Sequence, residues 1–225
     1  MPRTSPPDRL RAIVDAATHV FLAKGYKRTL MTDVAAALEL SPGTLYNHVE
    51  SKEALFHLCL LPDVELPKTP PPFSAPPWDE TIEQLRAQLK TSLAIPRLQR
   101  AVRDPAPDAV QELREILTEL YEQIESRYLV VALIEQSAHD RPELTEVFYT
   151  KGRRQMTSRL AGYLRERGEA GALRAVDDPD TAALLLREAI SWFAYHRHQD
   201  PDVDRIDDPT VPTTVIDLLV RGLAP

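Results

Sequence analysis

Between Leu30 and Val49 the chain places two short helical patterns on either side of a turn of three or four residues, and no other stretch limits its fold so tightly. The first pattern opens near Thr29–Thr32 and carries Val34, Ala35 and Leu38 at helical spacing. The second opens at Ser41 followed by Pro42 and carries Leu45, Tyr46 and Val49. A serine there can accept an amide of the first turn, and proline fits the first helical position because its missing N–H would have had no partner. Ala35 falls where two such helices cross, and its small side chain allows close approach. This is the layout of a helix-turn-helix over residues 30–49.

The flanks extend the pattern. Leu10, Ile13, Val14, Ala17 and Phe21 share one face of a helix expected from Asp8, as N-cap, to Lys24, with Gly25 as its stop. Ser51 caps a fourth helix that runs to about Leu61. Ile13, Val14, Phe21, Val34, Leu38, Leu40, Leu45, Val49 and Leu55 form one inward set. A core of that size is marginal, so the segment is expected to lean on the rest of the chain.

Beyond it the reading stays helical, with seven glycines in 225 residues and no alternating pattern bounded by turns. Seven prolines fall between Pro62 and Pro77. That density cannot continue a helix and reads as a stiff, extended linker. The expected domains are residues 1–60, a proline-rich linker at 61–78, and a helical body over 79–225. Within the body, helices are expected at Trp78–Ile95, at Asp108–Ala138 with an interruption near Arg127, from Asp140 to Arg167 with Gly168 and Gly171 ending it, at Asp180–His198, and at Thr210–Leu223. The fold class is therefore all-α.

Charge adds little. The net charge is −7, yet residues 1–57 hold seven cations against six anions, leaving 20 against 28 in the remainder. Such asymmetry lets one end approach phosphate while the other is kept off it. The single cysteine, Cys59, lies between Leu58 and Leu60, which suits packing and leaves no disulfide or multi-cysteine metal site. No apolar run approaches the roughly 20 residues of a membrane helix, and residues 1–8 hold no apolar stretch of a signal peptide. A cytoplasmic chain without metal, cofactor or membrane partner is expected.

The outward residues of the second motif helix are Pro42, Gly43, Thr44, Tyr46, Asn47 and His48, short or hydrogen-bonding. Short residues at its start let the backbone come close to a duplex, and Thr44, Asn47 and His48 can reach base edges or phosphate. The series Gly25-Tyr26-x-x-Thr29, Asp33-Val34-Ala35, Ser41-x-Gly43-Thr44-Leu45-Tyr46 and Ser51-Lys52-Glu53-Ala54-Leu55 resembles the DNA-binding domain of the TetR family over about residues 8–60. The resemblance implies a homeodomain-like helix-turn-helix domain followed by a helical ligand-binding and dimerisation domain. It implies that Thr32 reaches phosphate or a base, that Pro42, Gly43 and Thr44 lead the recognition helix into the major groove, that the Tyr46 hydroxyl meets a phosphate with Asn47 and His48 alongside, and that Lys52 is a phosphate clamp. This chain departs from the family where Leu30 follows Thr29 in place of a small hydroxylated residue, where Glu39 stands in a turn that often has glycine, and where His48-Val49 replaces an aromatic pair.

By the same resemblance the last two long helices pair with their copies as a four-helix bundle, through Ala182, Ala183, Leu186, Ile190 and Phe193 on one and Val215, Ile216, Leu219 and Val220 on the other. The expected partners are double-stranded operator DNA, a small-molecule effector and a second copy of the chain. Tyr121, Tyr128, Glu135, Tyr149, Trp192 and Tyr195 are the residues expected to line an effector pocket. The pairs His196-x-His198 and His139-Asp140 read as solvated histidines near helix ends rather than metal ligands. The expected function is a repressor released from a palindromic operator by an inducer. An activator, an enzyme carrying a DNA-binding module and a helical interaction protein without DNA binding are the alternatives. The enzyme reading finds no phosphate loop, nucleophile elbow or metal cluster in the sequence.

Overall fold

A computed structural model of the chain describes residues 6–62, 71–92, 94–200 and 209–225. Their regular structure is helical, with one isolated parallel bridge between Val49 and Phe73. The helices are α1 (Pro6–Lys24), α2 (Met31–Ala37), α3 (Pro42–Tyr46), α4 (Lys52–Leu60), α5 (Trp78–Ser92), α6 (Pro96–Arg103), α7 (Ala109–Glu125), α8 (Tyr128–Ser137), α9 (Pro142–Thr145), α10 (Arg154–Glu169), α11 (Pro179–Ala194) and α12 (Val211–Leu223). A π-helix spans Glu146–Arg153 and a 3-10 helix His196–Gln199. None of the described helices is long and apolar enough to cross a membrane.

The chain forms two compact units. One holds residues 1–89 and 129–148, the other 90–128 and 149–225. The chain therefore passes from one unit to the other three times.

In the first unit, α1 begins at Pro6, so Asp8 lies inside the helix rather than at its cap. Gly25 ends it with φ +79°, a left-handed conformation that glycine adopts without a steric cost, and its N–H bonds the Phe21 carbonyl at 2.8 Å. Ile13, Ala17, Phe21, Val34, Leu45, Val49, Leu55 and Phe56 are buried, while Leu38 and Leu40 are half-buried. The Phe56 ring sits 5.1 Å from Phe21, 4.5 Å from Tyr26 and 6.1 Å from Trp78. Cys59 packs in this core with its thiol on the Val14 carbonyl, and burial pushes that thiol up to about 12. Residues 63–70 of the expected linker lie outside the described residues. Its later part is pinned, because the Phe73 N–H bonds the His48 carbonyl at 2.8 Å and the Phe73 carbonyl accepts Glu50 N–H at 2.9 Å.

The second unit packs α7, α10, α11 and α12 around Leu113, Leu117, Tyr163, Leu186, Ile190 and Val220. Asp108 caps α7 through the Gln111 N–H at 2.9 Å, and Asp178 caps α11 through the N–H groups of Asp180 and Thr181. The break after α7 falls at Ser126–Arg127. A half-buried Arg167–Glu112 ion pair, with Tyr163 donating to the same carboxylate at 3.0 Å, closes the Ala106 loop against α10. Gly168 lies inside α10, where a Cβ would come within 3.2 Å of the Ala175 backbone; the left-handed stop is Gly171, at φ +67°. Three expected helices are shorter than read, α5 first, which stops at Ser92 instead of Ile95. The segment from Asp140 is divided into α9, the π-helix and α10, and α11 stops at Ala194 instead of His198.

Candidate nucleic-acid interface

Helix α2 has Leu30 as its N-cap, a residue with no side-chain acceptor. Asp33 makes good the deficit by accepting the Leu30 N–H at 2.9 Å, and it binds the Lys24 ammonium at 2.7 Å. The hydrogen bond from Lys24, then that from Leu30, hold the Asp33 carboxyl below its usual range. The α2 start is thus tied to the end of α1, and Leu30 itself is 60% exposed.

The turn after α2 closes by two bonds, Leu40 N–H to the Ala35 carbonyl at 2.8 Å and Glu39 N–H to the Ala36 carbonyl at 3.1 Å. This is the Schellman arrangement with Glu39 in the position that favours glycine, and Glu39 has φ +55°. Ser41 then caps α3 by accepting the Thr44 N–H at 3.1 Å, and the two hydroxyls share a bond of 2.8 Å. Leu45 is buried on the inner side. Thr32, Pro42, Gly43, Tyr46 and Asn47 are exposed, with Thr44 and His48 half-buried. The expected reading face therefore exists as one outward set, except that regular α-helix ends at Tyr46 and Asn47 and His48 lie in the following turn. Burial, and then the nearby Arg9, hold His48 below its usual pKa. Sequence reasoning missed Arg9: it is a cation beside the reading face, contributed by α1 rather than by the motif.

Lys52 is placed differently from the clamp the resemblance implied. Its ammonium donates to the carbonyls of Tyr26 and Thr29 at 3.1 Å each and of Lys27 at 3.4 Å, and lies 4.6 Å from the Tyr26 ring centroid. An ammonium has three N–H groups, and all three have carbonyl acceptors in its own chain. Ser51 caps α4 as expected, accepting the Ala54 N–H at 3.0 Å.

Five of the residues expected around an effector, Tyr121, Tyr128, Tyr149, Trp192 and Tyr195, belong to the second unit. Tyr121 and Tyr195 are buried in the second unit, the Tyr121 hydroxyl donating to the Phe193 carbonyl at 3.1 Å. Tyr128 packs on His198 with ring centroids 4.6 Å apart, and Tyr149 lies 5.1 Å from the Arg153 guanidinium. Trp192 is 37% exposed, and Glu135 belongs to the first unit. His196 packs on Tyr195, and among the described residues no three metal-ligating side chains are grouped.

The dimer faces expected on the last two helices are largely committed within the chain. Ala183, Leu186, Ile190, Val215, Ile216 and Val220 are buried, and Ala182, Phe193 and Leu219 half-buried. Leu184, Leu185 and Trp192 on α11 and Leu218 on α12 are exposed instead.

Residues 13–59 match the family model of bacterial regulatory proteins of the tetR family, and residues 111–199 match that of the AefR-like transcriptional repressor C-terminal domain, together more than half of the chain. The HTH-type transcriptional repressor DhaR of Mycobacterium sp. (strain GP1) is 48% identical over 42 residues, a match covering 19% of this chain and 21% of that protein. The uncharacterized HTH-type transcriptional regulator YhgD of Bacillus subtilis (strain 168) is 22% identical over 217 residues, covering 96% of this chain and 97% of that one. Among solved structures, the ketosteroid transcriptional regulator KstR2 of Mycobacterium tuberculosis superposes with a TM-score of 0.61 at 17% identity, covering 100% of this chain and 97% of that one. AibR in complex with isovaleryl coenzyme A and operator DNA gives 0.55 at 19% identity, over 96% and 98% of the two chains. Those likenesses establish a shared fold, and the two family models establish kinship: this chain belongs to the tetR family of bacterial regulatory proteins, DNA-binding regulators of transcription.

Proposed function

We propose that the chain is a cytoplasmic repressor that binds a palindromic operator as a homodimer and is released by a small-molecule inducer. The observation that carries this reading is the outer side of α3. Buried Leu45 and Val49 and the Ser41 cap hold a short helix whose exposed side presents Pro42, Gly43, Tyr46 and Asn47, with Thr44 and His48 at its margin. These residues enter the major groove, Thr32 and Tyr46 meet phosphate, and Thr44, Asn47 and His48 read base edges. Lys52 serves the interface indirectly, holding the loop before α2.

Leu184, Leu185, Trp192 and Leu218 support the dimer, since apolar side chains exposed together on the last two long helices are covered at low cost by a second copy. A two-fold pair would set its recognition helices about 34–36 Å apart, one helical turn of DNA. The effector acts only if it binds the two spacings of these helices with different affinity. The AibR complex holds isovaleryl coenzyme A and operator DNA, and a protein of the same fold that holds a small molecule together with DNA favours a small-molecule effector here.

The test is selection of bound duplexes from a random-sequence pool by the full chain, followed by gel shift and sedimentation. A palindromic sequence bound by two chains is expected. Recovery of no preferred sequence, or binding by one chain per site, would overturn the proposal. An effector that tightens binding would make the protein a co-repressor system.

A further inference from the structure

Tyr26 stands in the loop that leads from α1 into α2, and it is buried. Its hydroxyl donates to Glu53 Oε1 at 2.9 Å and accepts from the Arg141 guanidinium at 2.8 Å. The Arg141 guanidinium also lies 4.6 Å from the Tyr26 ring centroid and 4.6 Å from that of Trp78. Next to it, the Asp140 carboxylate accepts the Lys27 N–H at 3.0 Å. The loop is thus gripped twice: by α4, through Lys52 and Glu53, and by the corner between α8 and α9, through Asp140 and Arg141. The first grip comes from the neighbouring sequence. The second comes from a residue 115 positions away.

The second grip suits a device that sets position. Guanidinium is planar and can stack on two rings while donating in its own plane, so its geometry is narrow where an ammonium's is broad. The loop it holds fixes where α2 begins, through Thr29, whose buried hydroxyl bonds the Gly25 carbonyl at 2.8 Å, and through Leu30 and Asp33. The Schellman turn at Glu39 then carries the position of α2 into α3. At the other end, residues 129–148 are bounded on both sides by chain of the second unit, and a π-helix, Glu146–Arg153, runs through the second of those crossings.

We propose that Arg141 is a positioning residue for DNA reading: with Tyr26 it latches the α8–α9 corner to the loop entering α2, so that the conformation of residues 129–148 sets the placement of the recognition helix. This rests on the operator-binding reading above. The latch acts through tight geometry, so its loss lowers the affinity for the correct sequence and leaves sequence-independent attraction to phosphate as it was.

The experiment uses the full chain and two duplexes of equal length, one selected by the wild-type protein and one a scramble of it. Arg141→Ala should weaken binding to the selected duplex about tenfold, the range of coupling carried by such networks, with unchanged affinity and salt dependence on the scramble. Arg141→Lys, which can donate to the hydroxyl but stacks poorly, should fall between. Tyr26→Phe should weaken selected binding alone and add little to Arg141→Ala. Equal losses on both duplexes, an unchanged selected affinity, or additive effects of the two substitutions would each overturn the proposal. Should Arg141→Ala fail to fold, Tyr26→Phe, which keeps the ring, decides alone by whether it lowers the ratio of selected to scrambled binding. If the wild-type chain selects no sequence, operator binding itself fails and the latch fails with it.

Discussion

The Lys52 ammonium lies 3.1 Å from the Thr29 carbonyl, joining the first residue of α4 to the last buried residue before α2. With the Tyr26 carbonyl at the same distance, the side chain acts as a strut. Lys52→Met should therefore lower unfolding stability by about 1.5–3 kcal/mol, the range for hydrogen bonds to a charged group, read by urea denaturation. The slope of log affinity against log salt should change by well under the roughly 0.9 expected for a lost phosphate contact. A full unit of slope with unchanged stability would show that the ammonium leaves its carbonyls to hold phosphate.

Glu39 occupies the left-handed position of the turn at φ +55°. An L-residue is strained there by about 1–2 kcal/mol, and glycine is not, although glycine also loosens the unfolded chain. Glu39→Gly should raise stability by about 1 kcal/mol by the same measurement, whereas Glu39→Ala should give no gain.

Tyr46 is 47% exposed on the outer side of α3. Tyr46→Phe should leave the urea midpoint within error of wild type. Operator affinity should fall by roughly fivefold, the worth of one hydrogen bond near 1 kcal/mol. A gel shift on the selected duplex checks this.

Leu185 is 63% exposed on α11. Leu185→Glu would place a charge in the proposed four-helix seam while touching nothing in the core of its own chain. Sedimentation should show a monomer with unchanged helical circular dichroism. A dimer that survives this substitution together with Leu218→Glu would locate the interface elsewhere.

Two histidines make stability sensitive to acid. Burial, reinforced by Arg9, lowers His48, and burial, opposed by Glu80, lowers His57, whose Nδ1 is 2.9 Å from the Thr81 hydroxyl. Both rings take up a proton less readily in the folded chain than in the unfolded one, where histidine titrates near about 6.5. Their contribution is present above that value and is lost as the pH falls through it. The urea midpoint should drop between about pH 7 and about pH 5, and His57→Gln should flatten that drop.

Local chemistry is what made the motif legible. Ser41 and Ser51 cap where their type and spacing say they should, and Leu45 and Val49 are buried as their periodicity requires. Which apolar side of α11 its own chain covers was not legible for a physical reason. Ala183, Leu186 and Ile190 make one apolar side and Leu184, Leu185 and Trp192 another, and periodicity alone cannot tell which meets the helix's own chain. The carbonyl partners of Lys52 were not legible, because an ammonium binds carbonyl or phosphate by the same chemistry and only the fold shows which carbonyls are near. Asp140 and Arg141 carry no local sign that their partners are Lys27 and Tyr26, more than a hundred residues earlier.

That last pairing bears on how such regulators can be recombined. A reading head cut at the proline-rich segment and grafted onto another sensor would leave its Tyr26 hydroxyl and Lys27 amide facing a foreign α8–α9 corner. The compact unit that holds this contact is discontinuous, residues 1–89 together with 129–148. Chimaeras that transplant both pieces should inherit this chain's operator choice, and those that carry only the first should read DNA with blurred specificity.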